Sequence, residues 1–174
     1  MFAGCSSLPF NSQYANAGWK KIIMAPFSGS LAETAELTFE HELAITSDIN
    51  VIPASMVKVY LKEENLIDDY AKDPEKALFL LAHKLEAEGI LFANIKSTTS
   101  AKRSSADLAT NFAEIYVKLI DVKNKRTVAS SHYESSSLFS SAHALVKDIS
   151  LDSANDMKEI FGAISVNTNP HKDS

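Results

Sequence analysis

Between Trp19 and Ile164 the apolar positions recur in two different periods, and each change of period marks an element. The run Ile22-Ile23-Met24-Ala25 lies inside Trp19–Phe27 and is closed by Pro26. A short continuous apolar run predicts a strand covered on both faces. Ser28-Gly29-Ser30 then predicts a turn, with Ser30 as a helix N-cap. Ala32, Ala35, Phe39 and Leu43 follow at helical spacing and predict a helix over 31–46. Ile49–Pro53 reads as a short second strand ended by its proline. Ala54-Ser55 opens a helix through Met56, Val57, Tyr60 and Leu61, and residues 63–73 are acidic and irregular, with room for a further helical turn. Asp73-Pro74 is a strong start signal, an N-cap with proline at the first helical position. It opens a helix over 74–88 whose apolar face is Ala77, Leu78, Leu81, Ala82 and Leu85, stopped by Gly89.

The second half changes to period two. Ile90–Lys96 predicts a third strand, and residues 97–111 are polar and loop-like. In Phe112–Val122, Ala113, Ile115, Val117 and Leu119 share one face, while Glu114, Tyr116 and Lys118 share the other. That alternation predicts an antiparallel strand with one face toward solvent. Lys123-Asn124-Lys125 predicts a turn with Asn124 at positive φ, and Thr127–Tyr133 returns as the second arm of a hairpin. Residues 134–150 are serine-rich and show no clear period. Asp152–Ile164 predicts a last helix, and the tail from Asn167 is expected to be loose. The order, two alternating strand–helix units and then a meander, predicts a single-domain α/β sandwich. It has a mixed sheet of about five strands with helices packed on one face.

Composition bounds the function. A chain of 174 residues with 45% hydrophobic and 22% charged residues can bury one core. The net charge of −5 and the lack of a basic patch argue against a nucleic-acid partner. No run approaches the ~20 apolar residues of a membrane helix.

Catalytic constellations do not emerge. His41 lies in Glu40-His41-Glu42, with no second histidine at the spacing a metal helix needs. His83, His132, His143 and His171 are scattered. The serines lack a Gly-x-Ser-x-Gly elbow. Ser28-Gly29-Ser30 has one glycine, short of a phosphate loop. Glu63-Glu64 and Asp68-Asp69 read as solvated surface before they read as a calcium site. The expectation is a protein that is not an enzyme and carries neither cofactor nor metal.

The sole cysteine stands in Phe2-Ala3-Gly4-Cys5-Ser6, which resembles a bacterial lipobox, Leu-(Ala/Ser)-(Gly/Ala)-Cys. The resemblance implies that residues 1–5 are the remnant of a signal peptide and that Cys5 takes a lipid. Ser6 after the cysteine is similar to lipoproteins sorted to the outer membrane of Gram-negative bacteria. Residues 6–18 carry no charge and no period and are expected to form a linker, leaving 19–166 as the domain and 167–174 as the tail.

The element order also resembles the periplasmic domain shared by TolB N-terminal domains, the CsgG secretion lipoprotein and the LpoB activator lipoprotein. The resemblance rests on four marks: Ile22–Phe27, Val51-Ile52-Pro53, the helix-to-strand passage Leu85–Ala93, and the hairpin arms Leu119–Val122 and Thr127–Ser130. Asn94 and Asn124 stand where that family often has glycine. The resemblance implies a non-enzymatic lipoprotein on the periplasmic face of the outer membrane, with the lipid as its only hold on the membrane. LpoB-like members bind a peptidoglycan synthase, which implies a partner protein of the cell envelope. The candidate contact residues are Glu114, Tyr116 and Lys118 on the long strand, His132 and Tyr133 on the hairpin, and the loop 97–111. CsgG-like members imply the alternative, a subunit of a homo-oligomeric ring in a secretion, pilus or flagellar assembly. Residues 97–111 and 134–150 lack the alternating strands of membrane hairpins, which disfavours a full pore.

Overall fold

A computed structural model describes residues 9–44, 49–100 and 109–165. Its centre is a six-stranded mixed sheet. The strands are β1 (Lys21–Met24), β2 (Ser28–Gly29), β3 (Asn50–Ile52), β4 (Gly89–Thr99), β5 (Asn111–Asp121) and β6 (Thr127–Ser137). The helices are α1 (Ala32–Leu43), α2 (Ala54–Glu63), α3 (Ile67–Lys72), α4 (Pro74–Lys84) and α5 (Ala142–Ser165). The main path across the sheet is β3-β1-β4-β5-β6, with β2 pairing β4 beyond the end of β1. The pairs β1–β3, β1–β4 and β2–β4 are parallel; β4–β5 and β5–β6 are antiparallel. The α/β architecture is the one the alternation predicts.

Helices cover both faces of the sheet, not one. On the first face, Ile22, Met24, Leu91, Ile95, Ile115, Val117 and Leu119 pack with Phe39 and Leu43 of α1 and with Val146, Met157 and Phe161 of α5. On the second face, Ile23, Ile90, Ile120 and Val122 pack with Val57, Leu61, Leu78 and Leu81 of α2 and α4. The second layer is short. It covers β4 and β5 only at the end level with β1, around Ile90 and Ile120, and the rest of that face stays open.

Several boundaries move for identifiable reasons. The predicted turn at Ser28-Gly29 is strand β2. Gly29 has φ +101°, and a Cβ there would stand 1.8 Å from the Ile95 carbonyl oxygen, so only glycine lets the two backbones meet. Ser30 does not cap α1. Its hydroxyl oxygen accepts from the Ser97 N–H at 2.7 Å, and Leu31 occupies the cap position with φ 58°. Glu86 (φ 53°), not Gly89, turns the chain after α4. Gly89 instead makes room for the Trp19 ring, 2.7 Å from where a Cβ would sit. In the β5–β6 turn, Lys125 takes the positive φ predicted for Asn124. Asn124 Nδ2 donates to Asp121 Oδ2 at 2.6 Å. Residues 97–99 extend β4, and β6 continues to Ser137. The serine-rich stretch then becomes the first turns of the 24-residue α5.

Residues 9–18 form part of the domain, where the sequence predicts a linker. Asn11 N–H donates to Val128 O (2.8 Å), and Ser130 N–H donates to Pro9 O (3.2 Å), which lays Pro9–Asn11 along the edge of β6. Asn16 and Gly18 donate to the carbonyls of Ala163 and Ile164. The Tyr14 and Trp19 rings meet edge to face, 5.6 Å between centroids. The lipobox residues through Cys5, positions 101–108 of the predicted loop and the tail from Asn167 lie outside the described residues.

Candidate functional site

The open part of the second face is built by β-alternation. Asn94, Lys96 and Thr98 of β4, Glu114, Tyr116 and Lys118 of β5, and His132 and Glu134 of β6 all occupy second-face positions. The register sets Asn94, Tyr116 and His132 in one rung and Lys96, Glu114 and Glu134 in the next. Glu114 and Glu134 are thus like charges directly across from one another, an unfavourable pair. Diagonal and lateral partners relieve it. Glu114 Oε1 is 2.9 Å from His132 Nε2, and its Oε2 is 3.5 Å from Lys96 Nζ. The hydrogen bond to His132 and the charge of Lys96 hold the Glu114 carboxyl below the usual range. Tyr116 is 47% exposed, its ring 6.4 Å from that of His132.

Tyr133 does not join this group. It pairs with Ile115, one position out of phase with His132, and so lies on the first face. Its hydroxyl donates to Asp156 Oδ2 of α5 at 2.7 Å. Burial pushes the Asp156 carboxyl up, against the pull of that hydrogen bond.

A groove of about 590 Å³ begins where the second helix layer ends. Phe92, Leu78 and Phe27 line it with Pro26, and Tyr70 and Tyr116 are its tyrosines. Lys118 brings a positive charge to it; Asp73 and Glu75 bring negative ones. Each feature has a local cause. Pro26 interrupts the strand between β1 and β2. The buried Glu36 accepts the Phe27 N–H at 2.7 Å and pairs with Lys58 Nζ at 2.8 Å, which ties the interruption to α1 and α2. Asp73 caps α4 by accepting from the Lys76 N–H at 3.1 Å. Burial raises the Tyr70 hydroxyl above the ordinary tyrosine value, so it stays protonated and able to donate. The β5 alternation flagged Tyr116 and Lys118. The groove residues Phe27, Tyr70 and Phe92 gave no such signal, because Phe27 and Phe92 read as core in their own strands and Tyr70 falls in the acidic, irregular stretch 63–73.

Two of the other polar candidates, the Ser28-Gly29-Ser30 hydroxyls and His143, are engaged within the fold. Ser28 Oγ accepts from Asn94 Nδ2 at 2.8 Å, so the Ser28-Gly29-Ser30 hydroxyls bind β4 and do not open an anion site. His143 Nε2 is 2.9 Å from Thr34 Oγ1. Among the described residues no group of three His, Cys, Asp or Glu side chains could hold a metal ion. Among the described residues no helix is long and apolar enough to cross a membrane.

No protein-family model matches the chain, and no curated protein matches its sequence. Solved structures do match. Lipoprotein GNA1162 from Neisseria meningitidis aligns with TM-score 0.53 and 17% identity, over 80% of this chain and 99% of that one. The LpoB C-terminal domain from Escherichia coli aligns with TM-score 0.51 and 14% identity, over 69% and 84%. The PelC dodecamer from Paraburkholderia phytofirmans aligns with TM-score 0.50 and 13% identity, over 94% and 96%. The chain has the fold of LpoB-like bacterial lipoproteins. At these identities the likeness is one of fold alone.

Proposed function

We propose that this chain is a non-enzymatic lipoprotein of the Gram-negative envelope. It is anchored through Cys5 at the periplasmic face of the outer membrane and docks a partner protein on the open half-face of its sheet. The observation that carries the reading is the incomplete second helix layer. It leaves Tyr116 and Lys118 beside an aromatic groove with charge of both signs on its walls. Buried aromatics ringed by polar groups are what protein contacts use as anchors. The fold shared with GNA1162 and LpoB supports the lipoprotein part of the reading. Glu114, His132 and Lys96 of the face are spent on one another, which favours recognition over acid–base chemistry.

The test is a photo-crosslinking residue at position 116, compared with one at the exposed Lys62 on α2, in the native host. A discrete adduct from position 116, absent from position 62, supports the docking face. Equal or no adducts at both positions sink it. The match to a PelC dodecamer favours one second reading, a ring of copies of this chain. In that case the adduct has the mass of two copies, and light scattering of the purified domain shows a large oligomer.

A further inference from the structure

We propose that the Leu138-Phe139 turn is a membrane-contact tip, seated in the interfacial layer of the bilayer to which the chain is tethered. Phe139 is 92% exposed and Leu138 46%, the most protruding apolar pair among the described residues. The turn is held in place. Ser137 Oγ accepts from the N–H of Phe139 (3.1 Å) and of Ser140 (2.9 Å), and Asn111 Nδ2 donates to the Ser140 carbonyl at 2.8 Å.

The surroundings are unusual in charge. This end of the sheet is made by residues 97–100 of β4, 109–113 of β5 and 135–142 of β6 and the turn. None of these described positions has an ionisable side chain, while the sequence that joins 100 to 109 adds Lys102, Arg103 and Asp107. The described positions are serine, threonine, asparagine, alanine, phenylalanine and leucine. The opposite end carries Glu86, Glu88, Asp121, Lys123, Lys125 and Arg126. A protein partner would be met by charges or by shaped pockets. A hydroxyl-rich surface with a protruding Leu-Phe pair suits the headgroup–acyl boundary, where apolar side chains sink about 5–10 Å.

The direction of the chain agrees. Phe10 pairs antiparallel with Ala129, so at Pro9–Asn11 the backbone points, toward its N-terminus, along β6 in the direction of Ser137. Cys5 precedes Phe10 by five residues, within about 18 Å even if fully extended. At Phe10 the chain is therefore heading toward the end of the sheet that carries the turn. This inference rests on anchoring through Cys5 and adds a second, non-covalent membrane contact to it.

The experiment couples the sole cysteine chemically to a maleimide-headgroup lipid in vesicles of phosphatidylethanolamine and phosphatidylglycerol. The tip is thus read whether or not the host acylates Cys5. Phe139→Trp and, at the charged end, Lys123→Trp are compared, each against the constant signal of the buried Trp19. The expected result is a shift of the Phe139→Trp emission to shorter wavelength and its quenching by brominated acyl chains, with Lys123→Trp unmoved. Phe139→Trp emission that stays water-like and unquenched on the vesicle overturns the proposal. So does a shift that appears without vesicles as protein concentration rises, which assigns the tip to contact between copies. The anchoring reading fails separately, through an unmodified mass of the native chain. Near-UV circular dichroism checks that each variant is folded.

Discussion

The Tyr14 hydroxyl donates to Asp121 Oδ2 at 2.8 Å, joining residues 107 positions apart. This contact closes the segment 9–18 onto the β5–β6 turn, and Asp121 also accepts from the Lys123 N–H and from Asn124 Nδ2. Tyr14→Phe removes one donor to a carboxylate and is expected to cost about 1–2 kcal/mol. The readout is the urea midpoint at unchanged slope.

Two aspartates should respond to pH in opposite senses. Burial works against the ionised Asp121, but hydrogen bonds from Tyr14, Asn124 and Lys123 outweigh it and hold the carboxyl below its ordinary value. Its contribution is complete above the unfolded value of about 3.9 and is lost as pH falls through the lower folded value. Asp156 is pushed up by burial, so its ionisation costs stability as pH rises past the unfolded value. Asp121→Asn should destabilise at pH 7 and flatten the acid limb of the stability curve. Asp156→Asn should be neutral or stabilising at pH 7, since the amide oxygen still accepts from Tyr133. Urea midpoints at pH 3 and pH 7 separate the two.

Glu36 is 8% exposed and satisfies both the Phe27 N–H and Lys58. Glu36→Ala leaves the buried Phe27 N–H without its acceptor, at a cost of about 2–3 kcal/mol. Because Phe27 lines the groove, the same variant should weaken any adduct formed at position 116, while Lys58→Ala, which spares the Phe27 bond, should do so less.

Gly29→Ala should be among the most damaging single changes. Its φ of +101° and the 1.8 Å approach to Ile95 O force β2 away from β4. A loss of about 3 kcal/mol or more is expected, seen as a lowered melting temperature and faster hydrogen exchange at Ser30, whose N–H donates to Ile95 O.

Tyr116→Ala is the functional counterpart. The ring is half exposed on a sheet surface, so the fold should lose no more than about 1 kcal/mol. Partner capture through the open face should be lost. A variant that binds as well as the parent, with the same stability, would move the docking site elsewhere.

The sequence by itself determined most of the local elements and their order, though not β2 or the first turns of α5. Periods of 3.6 and 2 are set by the backbone, so Ala77, Leu78, Leu81 and Ala82 declare α4, and Ala113 to Leu119 declare β5 with its polar side. The candidate pair Tyr116 and Lys118 was legible for the same reason. Only the tertiary structure decided what covers each face. Alternation says that Glu114, Tyr116 and Lys118 differ from their neighbours, but it cannot say that a helix layer stops beside them and leaves a groove. The uncharged residues 9–18 have no period of their own and take their place from hydrogen bonds to β6 and α5. Residues 134–150 are likewise shaped by partners distant in sequence: β5 holds 134–137 in a strand, and Asn111 ties the Ser140 carbonyl to the end of the sheet. Tyr133 falls on the helix side because register, which is a property of two strands together, puts it opposite Ile115.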